Sequence, residues 1–171
     1  MNKLIETIDL TKVYGEKETS VTALNSITTA FNENQFTAIM GPSGSGKSTL
    51  LHCLAGLDKV TSGSILINGI DLASLNDKEL TKMRRDSFGF VFQAFNLIPT
   101  LTAEENITLP SSIAGRKPED DWVEQVINAM DIGDRLGHRP NELSGGQQQR
   151  VAAARAMASK PEVIFADEPS G

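Results

Sequence analysis

One glycine-rich stretch constrains the fold of this chain more than any other part of its sequence. Residues 41–48 read Gly-Pro-Ser-Gly-Ser-Gly-Lys-Ser, which matches the pattern GxxxxGK[ST] in full. The short apolar run 36–40 comes directly before this stretch, and a segment of helical character, 47–57, follows it. The order predicts a buried strand, a tight loop and a helix, an arrangement in which backbone N–H groups surround an anionic phosphate.

The residue types of this loop agree with phosphate binding. Glycine lets the backbone turn its N–H groups inward, and the N-terminus of the following helix adds a positive dipole end. Lys47 is expected to reach the β- and γ-phosphates, and the Ser48 hydroxyl is expected to ligate Mg2+. A chance loop rich in glycine and serine is the alternative, but the complete pattern and its flanking segments argue against it. The predicted nucleotide-binding residues here are Gly41, Ser43, Gly44, Ser45, Gly46, Lys47, Ser48 and Thr49.

Two acidic residues follow a second apolar run near the end of the chain. Residues 163–166 are continuously apolar, which is typical of a strand buried on both faces of a parallel sheet. Asp167 and Glu168 come next, at the carboxyl end of that strand, where ligands bind in open parallel sheets. We expect Asp167 to hold Mg2+ and Glu168 to orient and deprotonate an attacking water. Two solvated acids at a strand end are the alternative.

Composition narrows the class of protein. The chain has 171 residues, of which 39% are hydrophobic and 22% charged, with a net charge of -6. A mildly acidic chain of this kind argues against a nucleic-acid partner, which requires a basic face. Cys53 is the only cysteine, so no internal disulfide is possible. No apolar run approaches the roughly 20 residues of a membrane-spanning helix, so any membrane role is expected to act through a partner.

Strand and helix patterns alternate along the chain, which predicts the α/β class. Residues 4–14 and 21–31 read as two strands of an N-terminal antiparallel unit. Thr102 and Glu105 form a capping-box pattern that opens a helix. Further strands are predicted at 64–67 and 88–92, and further helices at 77–86, about 118–130 and 144–159.

The pentapeptide Leu143–Gln147, Leu-Ser-Gly-Gly-Gln, precedes the last of these helices. Ser144 and Gln147 form a second capping pattern at a helix N-terminus. Gly145 and Gly146 leave the backbone N–H groups of this turn open, so the sequence predicts a second anion site, separate from the phosphate loop.

These motifs together resemble the ATP-binding cassette (ABC) ATPases, in which the same pentapeptide is the signature sequence. The resemblance extends from about residue 4 to residue 171 and is most similar to ATPases of the lipoprotein-releasing and macrolide-exporter type. The segments that carry it are 39–51, 90–102 and 138–150.

The resemblance implies a nucleotide site shared between two chains. The ligands are ATP and Mg2+, and the phosphate loop of one subunit faces the signature of the other in a head-to-tail homodimer. Ser144, Gly146 and Gln147 are then γ-phosphate contacts of the opposing subunit, and Gly145 belongs to the same turn. Arg150 and Arg155, on the predicted helix that follows, are interpreted as surface or interface charges.

Two more site residues come from the resemblance alone. Gln93 corresponds to the glutamine of the Q-loop, which contacts Mg2+ and the attacking water, and residues 94–110 would lie against a membrane subunit. The alternative for Gln93 is a polar residue that ends a strand. Tyr14 stands where the family places an aromatic ring that stacks on adenine, and an ordinary strand tyrosine is the alternative.

The implied fold is a P-loop NTPase core with a mostly parallel sheet and flanking helices, an N-terminal antiparallel β subdomain and a helical subdomain. The implied single domain divides into a core at about 1–92 and 159–171, and a part with Q-loop, helices and signature at about 93–158. Its C-terminal strands and the family's switch histidine are expected to be missing, since His52 and His138 both lie upstream. Ser170 and Gly171 would begin the D-loop, which crosses the dimer interface.

The implied function is ATP hydrolysis that powers export or lipoprotein extraction through a transmembrane permease subunit. The chain would be cytoplasmic and peripheral, on the inner face of the membrane. As a truncated domain it is expected to bind nucleotide and to hydrolyse it poorly. The alternatives are a soluble ABC ATPase without a transport role and a nucleotide-binding fragment without enzymatic activity.

Overall fold

A computed structural model describes residues 2–168 of the chain. The chain forms two compact units, one within residues 1–81 and the other within residues 82–171. The predicted division at about residues 92 and 159 stays a prediction. Ser170 and Gly171, predicted to begin the D-loop, lie outside the described residues.

The first unit contains the predicted antiparallel sheet. Its strands are β1 (Lys3–Tyr14), β2 (Val21–Asn32), β3 (Ser62–Ile67) and β4 (Ile70–Asp71). They pair antiparallel in the order β2-β1-β3-β4. Asn68 and Gly69 join β3 to β4 with φ angles of 49° and 77°, the left-handed backbone that a two-residue hairpin turn requires.

Helix α1 (Lys47–Leu54) follows the phosphate loop, and helix α2 (Asp77–Ser87) ends the first unit and begins the second. Leu10 and Cys53 are fully buried in the core of the first unit, together with Ile65 and Ile67. Short 3-10 helices cover Lys17–Thr19 and Leu72–Ser74 in this unit, and Gly133–Arg135 and Pro140–Glu142 in the second.

The strand predicted for residues 36–40 is absent from the described residues. Phe36 is 98% exposed and Met40 is 88% exposed, and the segment has no strand assignment. A strand needs a neighbour to take its N–H and C=O groups and a layer to bury its side chains. None of the strands within residues 2–168 pairs with this segment, so its apolar composition alone does not make it a strand.

The second unit combines a parallel strand pair with helices. β5 (Phe88–Val91) and β6 (Val163–Ala166) are parallel, with Phe90 opposite Phe165. Three helices, α3 (Ala103–Ile113), α4 (Asp120–Ala129) and α5 (Gly145–Ala158), complete the unit. Thr102 and Glu105 form the predicted capping box of α3. The helical core contains the fully buried residues Ile107, Ile132, Val151 and Ala154.

β5 and α5 pack closely. A Cβ on Gly89 would lie 2.3 Å from the carbonyl oxygen of Ala156, which is shorter than any normal contact. Glycine at this position therefore lets the helix backbone approach the strand directly.

The expectation that residues 163–166 are buried on both faces is wrong for this structure. Phe165 is buried, but Ile164 is 44% exposed. Among the described residues, β6 pairs only with β5, so its other edge carries no ladder. A strand needs neighbours on both edges and layers on both faces to be fully buried.

Candidate functional site

The phosphate loop ends at a helix N-terminus, as predicted. Gly46 is the N-cap of α1 with φ of 90°, and the Leu50 N–H donates to its carbonyl oxygen at 2.8 Å. A Cβ on Gly46 would lie 2.5 Å from the carbonyl oxygen of Ala23 on β2. No side chain within residues 2–168 caps α1. Its first N–H groups are therefore suited to an anion.

The loop itself is open to solvent. Gly44 has φ of 76°, and a Cβ placed on it would meet no atom within 4 Å. Lys47 Nζ donates to the carbonyl oxygens of Gly41 and Pro42, at 3.0 and 2.9 Å. These bonds hold the ammonium group over the loop. A phosphate anion would offer it stronger, charge-assisted bonds in place of the two neutral carbonyls.

Asp167 and the segment of Gln93 meet at one sheet edge in the second unit. Val91 lies opposite Ala166 in the parallel pair, and the Asp167 N–H donates to the Val91 carbonyl oxygen at 3.0 Å. Asp167 directly follows β6 and Gln93 follows β5 by two residues, so both stand at the carboxyl ends of the strands. Glu168 is exposed and has a left-handed φ of 44°, a conformation that costs a non-glycine residue about 1 kcal/mol.

The signature sequence forms the predicted helix cap. The Ser144 hydroxyl accepts the Gln147 N–H at 3.3 Å, and the Gln147 side-chain oxygen accepts the Ser144 N–H at 2.8 Å. A Cβ on Gly145 or on Gly146 would meet no atom within 4 Å. This first turn of α5 therefore has open space beside its backbone. The second anion site at this turn stays a prediction.

Tyr14 lies at the end of β1 in contact with two charged residues. Its hydroxyl donates to Asp58 Oδ2 at 2.5 Å, and Lys12 Nζ donates to Asp58 Oδ1 at 2.7 Å. The Thr49 side chain, in the first turn of α1, also hydrogen-bonds to Tyr14. The bond to Asp58 raises the pKa of Tyr14, and the bond from Lys12 lowers the pKa of Asp58.

Sequence reasoning missed the roles of Lys12 and Asp58. Tyr14 and Asp58 are 44 residues apart in the chain, and neither charge belongs to a recognisable motif. Only the folded chain brings the end of β1 beside the loop that follows α1.

Arg155 also differs from its interpretation as a surface or interface charge. Its guanidinium donates to the carbonyl oxygens of Asn96 and Phe95, at 2.6 and 2.7 Å, and burial lowers its pKa. Phe95 and Asn96 have left-handed φ angles of 56° and 49°. Arg155 therefore ties helix α5 to the strained backbone that follows Gln93. No helical periodicity could have predicted that target.

The predicted Mg2+ ligands have suitable donor atoms. Ser48 supplies a hydroxyl, Gln93 an amide oxygen and Asp167 a carboxylate, all of them hard oxygen donors. The described residues hold no group of three or more His, Cys, Asp or Glu side chains that could bind a metal ion without a ligand.

The chain matches known proteins over nearly its whole length. The family model described as ABC transporter matches residues 24–171. The lipoprotein-releasing system ATP-binding protein LolD of Geobacter metallireducens is 46% identical over all of this chain and 77% of its own length. The macrolide export ATP-binding/permease protein MacB of Marinobacter nauticus is 48% identical, and this chain spans 26% of that protein.

Solved structures give the same result. A dimeric structure of MJ0796, a bacterial ABC transporter cassette, has a TM-score of 0.87 and 45% identity, with 96% of this chain and 74% of that chain covered. A second dimeric structure of MJ0796, in a post-hydrolysis state with ADP and Pi, also has a TM-score of 0.87, at 44% identity.

No helix in the described part of the chain combines the length and the apolar character needed to cross a membrane.

The family model covers most of the sequence, and the LolD relative is matched over the whole of it. The chain therefore belongs to the ABC transporter family, and the relatives that it resembles are ATP-binding proteins of the LolD and MacB type.

Proposed function

We propose that this chain binds Mg-ATP at residues 41–48 and hydrolyses it in a head-to-tail dimer that drives a transmembrane permease. The observation that carries the proposal is a pair of helix N-termini at glycine-rich turns: α1 has no side-chain cap, and the capped first turn of α5 has open space beside Gly145 and Gly146. One begins α1 at Gly46, below Lys47, and the other begins α5 at Ser144. In the proposed dimer, the phosphates of one ATP would contact the N-terminus of α1 in one copy and the N-terminus of α5 in the other copy.

The phosphate loop supplies the binding contacts. The N–H groups of the loop and of the first turn of α1 would receive the phosphate oxygens, and Lys47 would exchange its two carbonyl acceptors for them. Ser48, Gln93 and Asp167 would hold Mg2+, which neutralises charge on the phosphates. Tyr14 would stack on the adenine base.

The signature turn would complete the site of the opposing copy. The Ser144 hydroxyl accepts one bond from Gln147, and a hydroxyl that accepts still has a proton to donate. The side-chain Nε2 of Gln147 and the backbone N–H groups of Gly145 and Gly146 are further donors on the same turn. A γ-phosphate would accept all of them. The dimeric MJ0796 structures support this arrangement as a similar fold in dimeric form.

Glu168 is the proposed general base for the attacking water, with Gln93 as the residue that orients this water. Both stand at the sheet edge that carries Asp167. We propose slow turnover for this chain. The segment 36–40, which leads into the phosphate loop, has no strand partner among residues 2–168, so no sheet pairing described there anchors the entry to the loop.

The proposed partner is a permease subunit, and the location is peripheral, on the cytoplasmic face of the membrane. The names of the LolD and MacB relatives support a role in lipoprotein extraction or export. The contacting segment would be 94–110, whose backbone is held by Arg155 and by the buried amide of Asn106.

Calorimetric titration with Mg-ATP tests binding, and phosphate release tests turnover. Lys47→Ala should lower ATP affinity about tenfold or more, because it removes a charge-assisted contact, whereas the exposed control Lys78→Ala in the same unit should leave affinity unchanged. Glu168→Gln should keep binding, abolish turnover and favour a dimer in light scattering.

Two results would contradict the proposal at different levels. Equal ATP affinity of Lys47→Ala and the wild-type chain would refute the phosphate site. ATP binding with no turnover in the wild-type chain, and no dimer in Glu168→Gln, would leave a nucleotide-binding fragment without enzymatic activity.

A further inference from the structure

Lys12, Tyr14 and Asp58 form a connected cluster in the first unit, here named the tyrosine brace. Asp58 uses one carboxylate oxygen for the Tyr14 hydroxyl and the other for Lys12 Nζ. Lys12 Nζ also donates to the Lys59 carbonyl oxygen at 2.6 Å and lies 4.6 Å from the centroid of the Tyr14 ring. The ring is therefore held at its hydroxyl and along its face.

The brace combines a fixed base with an open ring. Lys12 is only 8% exposed, whereas Tyr14 is 41% exposed. A buried ammonium with two oxygen acceptors is held firmly, since leaving them would strand its charge. The aromatic ring that it supports remains accessible to a ligand.

The brace stands beside the phosphate loop. Thr49, which hydrogen-bonds to Tyr14, is two residues after Lys47 in the first turn of α1. A nucleotide with its phosphates on that turn would bring its base within reach of the ring. Lys12 occupies one face of the ring, so a stacked base would take the other face.

We propose that Lys12 and Asp58 are positioning residues that hold the Tyr14 ring in the orientation that stacks on the nucleotide base. This inference rests on the proposed function, because it assumes ATP at the phosphate loop. A free tyrosine side chain loses rotational freedom when a base stacks on it. The brace removes that freedom before the ligand arrives, and the binding constant rises accordingly.

The test separates recognition of the base from recognition of the phosphates. The full chain and its variants are titrated with Mg-ATP and, separately, with inorganic tripolyphosphate, which has no base. The quantity of interest is the ratio of the two affinities. Tyr14→Ala should lower this ratio about tenfold, as expected for loss of one aromatic stacking partner. Tyr14→Phe and Asp58→Ala should each lower it about threefold, because the ring remains but is no longer held.

Asp71→Ala is the matched control. Asp71 lies in the same unit, and its carboxylate accepts the Ala73 N–H at the start of the 3-10 helix Leu72–Ser74. It has no hydrogen bond to the tyrosine brace. Its loss should leave the affinity ratio unchanged even if stability falls. Tyr14→Phe removes a single oxygen atom at a partly exposed position, so it carries the test if Asp58→Ala does not fold.

The outcomes distinguish this inference from the function beneath it. Wild-type ratios in both Tyr14→Phe and Asp58→Ala, with a reduced ratio in Tyr14→Ala, would overturn the brace and keep the stacking. A wild-type ratio in Tyr14→Ala would overturn both. Absence of ATP and tripolyphosphate binding in the wild-type chain would refute the phosphate site itself.

A spectroscopic reading checks the brace directly. Tyr14 is the only tyrosine of the chain, so the absorbance of tyrosinate reports on it alone. The bond to Asp58 raises the pKa of Tyr14, and Asp58→Ala should therefore let the phenol ionise at lower pH than in the wild-type chain. Identical titrations would show that Asp58 does not hold the hydroxyl in solution.

Discussion

The side chain of Asn106, on α3, anchors the backbone of the segment that ends at the helix cap. It is fully buried, and its Oδ1 accepts the Ile98 N–H at 2.7 Å. Its Nδ2 donates to the carbonyl oxygens of Ile98, Leu101 and Thr102, at 3.2, 3.2 and 2.9 Å. The amide thus fixes residues 98–102, which belong to the proposed permease-facing segment.

The magnitude follows from the number of bonds that the amide can make. Nδ2 has two protons, so its three acceptors share them, and the side chain makes the equivalent of about three hydrogen bonds. Each contributes about 1 kcal/mol net. Asn106→Ala should therefore lower the free energy of unfolding by about 3 kcal/mol, a large share of the roughly 5–15 kcal/mol of a typical domain.

Asn106→Asp is the sharper variant because its shape is almost unchanged. It replaces the donor with an acceptor that faces three carbonyl oxygens, so it should cost at least as much as Asn106→Ala. Urea unfolding followed by fluorescence of Trp122 measures both, since Trp122 is the only tryptophan and donates to the Met157 carbonyl oxygen in the same unit.

The control is Asn128→Ala, at an exposed position on α4, where the expected change is within about 0.5 kcal/mol. A loss in Asn106→Ala no larger than in this control would refute the reasoning. Residues 98–102 would then be held by contacts other than this amide.

Three further results are expected. Gly46→Ala should lower ATP affinity at least about tenfold, because a Cβ there meets a β2 carbonyl at 2.5 Å, whereas Gly115→Ala, which meets no atom within 4 Å, should not; calorimetry compares them. Arg155→Met should lower unfolding free energy by about 2 kcal/mol, and Arg155→Lys by less, in urea. The stability difference between wild type and Asp58→Ala should be fully present above the ordinary aspartate pKa and disappear as pH falls through the lowered pKa of Asp58. If the urea midpoints of wild type and Asp58→Ala differed by the same amount at every pH, this prediction for Asp58 would be wrong.

Local patterns in the sequence predicted several features whose cause is local. The glycines at 44 and 46 have the left-handed backbone that a phosphate loop needs. The capping boxes at Thr102 and Ser144 form as expected, because each involves residues three positions apart. The antiparallel pairing of the first two strands follows in the same way from neighbouring apolar patterns joined by a short turn.

Two predictions that depended on residues distant in the sequence are wrong for this structure. Residues 36–40 have the composition of a buried strand, but a strand forms only where another strand pairs with it, and none described here does. Burial of β6 was overestimated for the same reason, since it pairs only with β5 among the described residues.

The sequence by itself determined the motifs proposed to carry the chemistry of this protein: the phosphate loop, the acidic pair and the signature turn, each of them a short continuous run of residues. Only the tertiary structure decided which groups support that chemistry. Lys12 meets Asp58 across 46 positions, and Arg155 meets Asn96 across 59. The physical reason is that the interaction of a charged side chain depends on distance in space and not on separation along the sequence. Its partner is whichever polar group the packed backbone brings within about 3 Å.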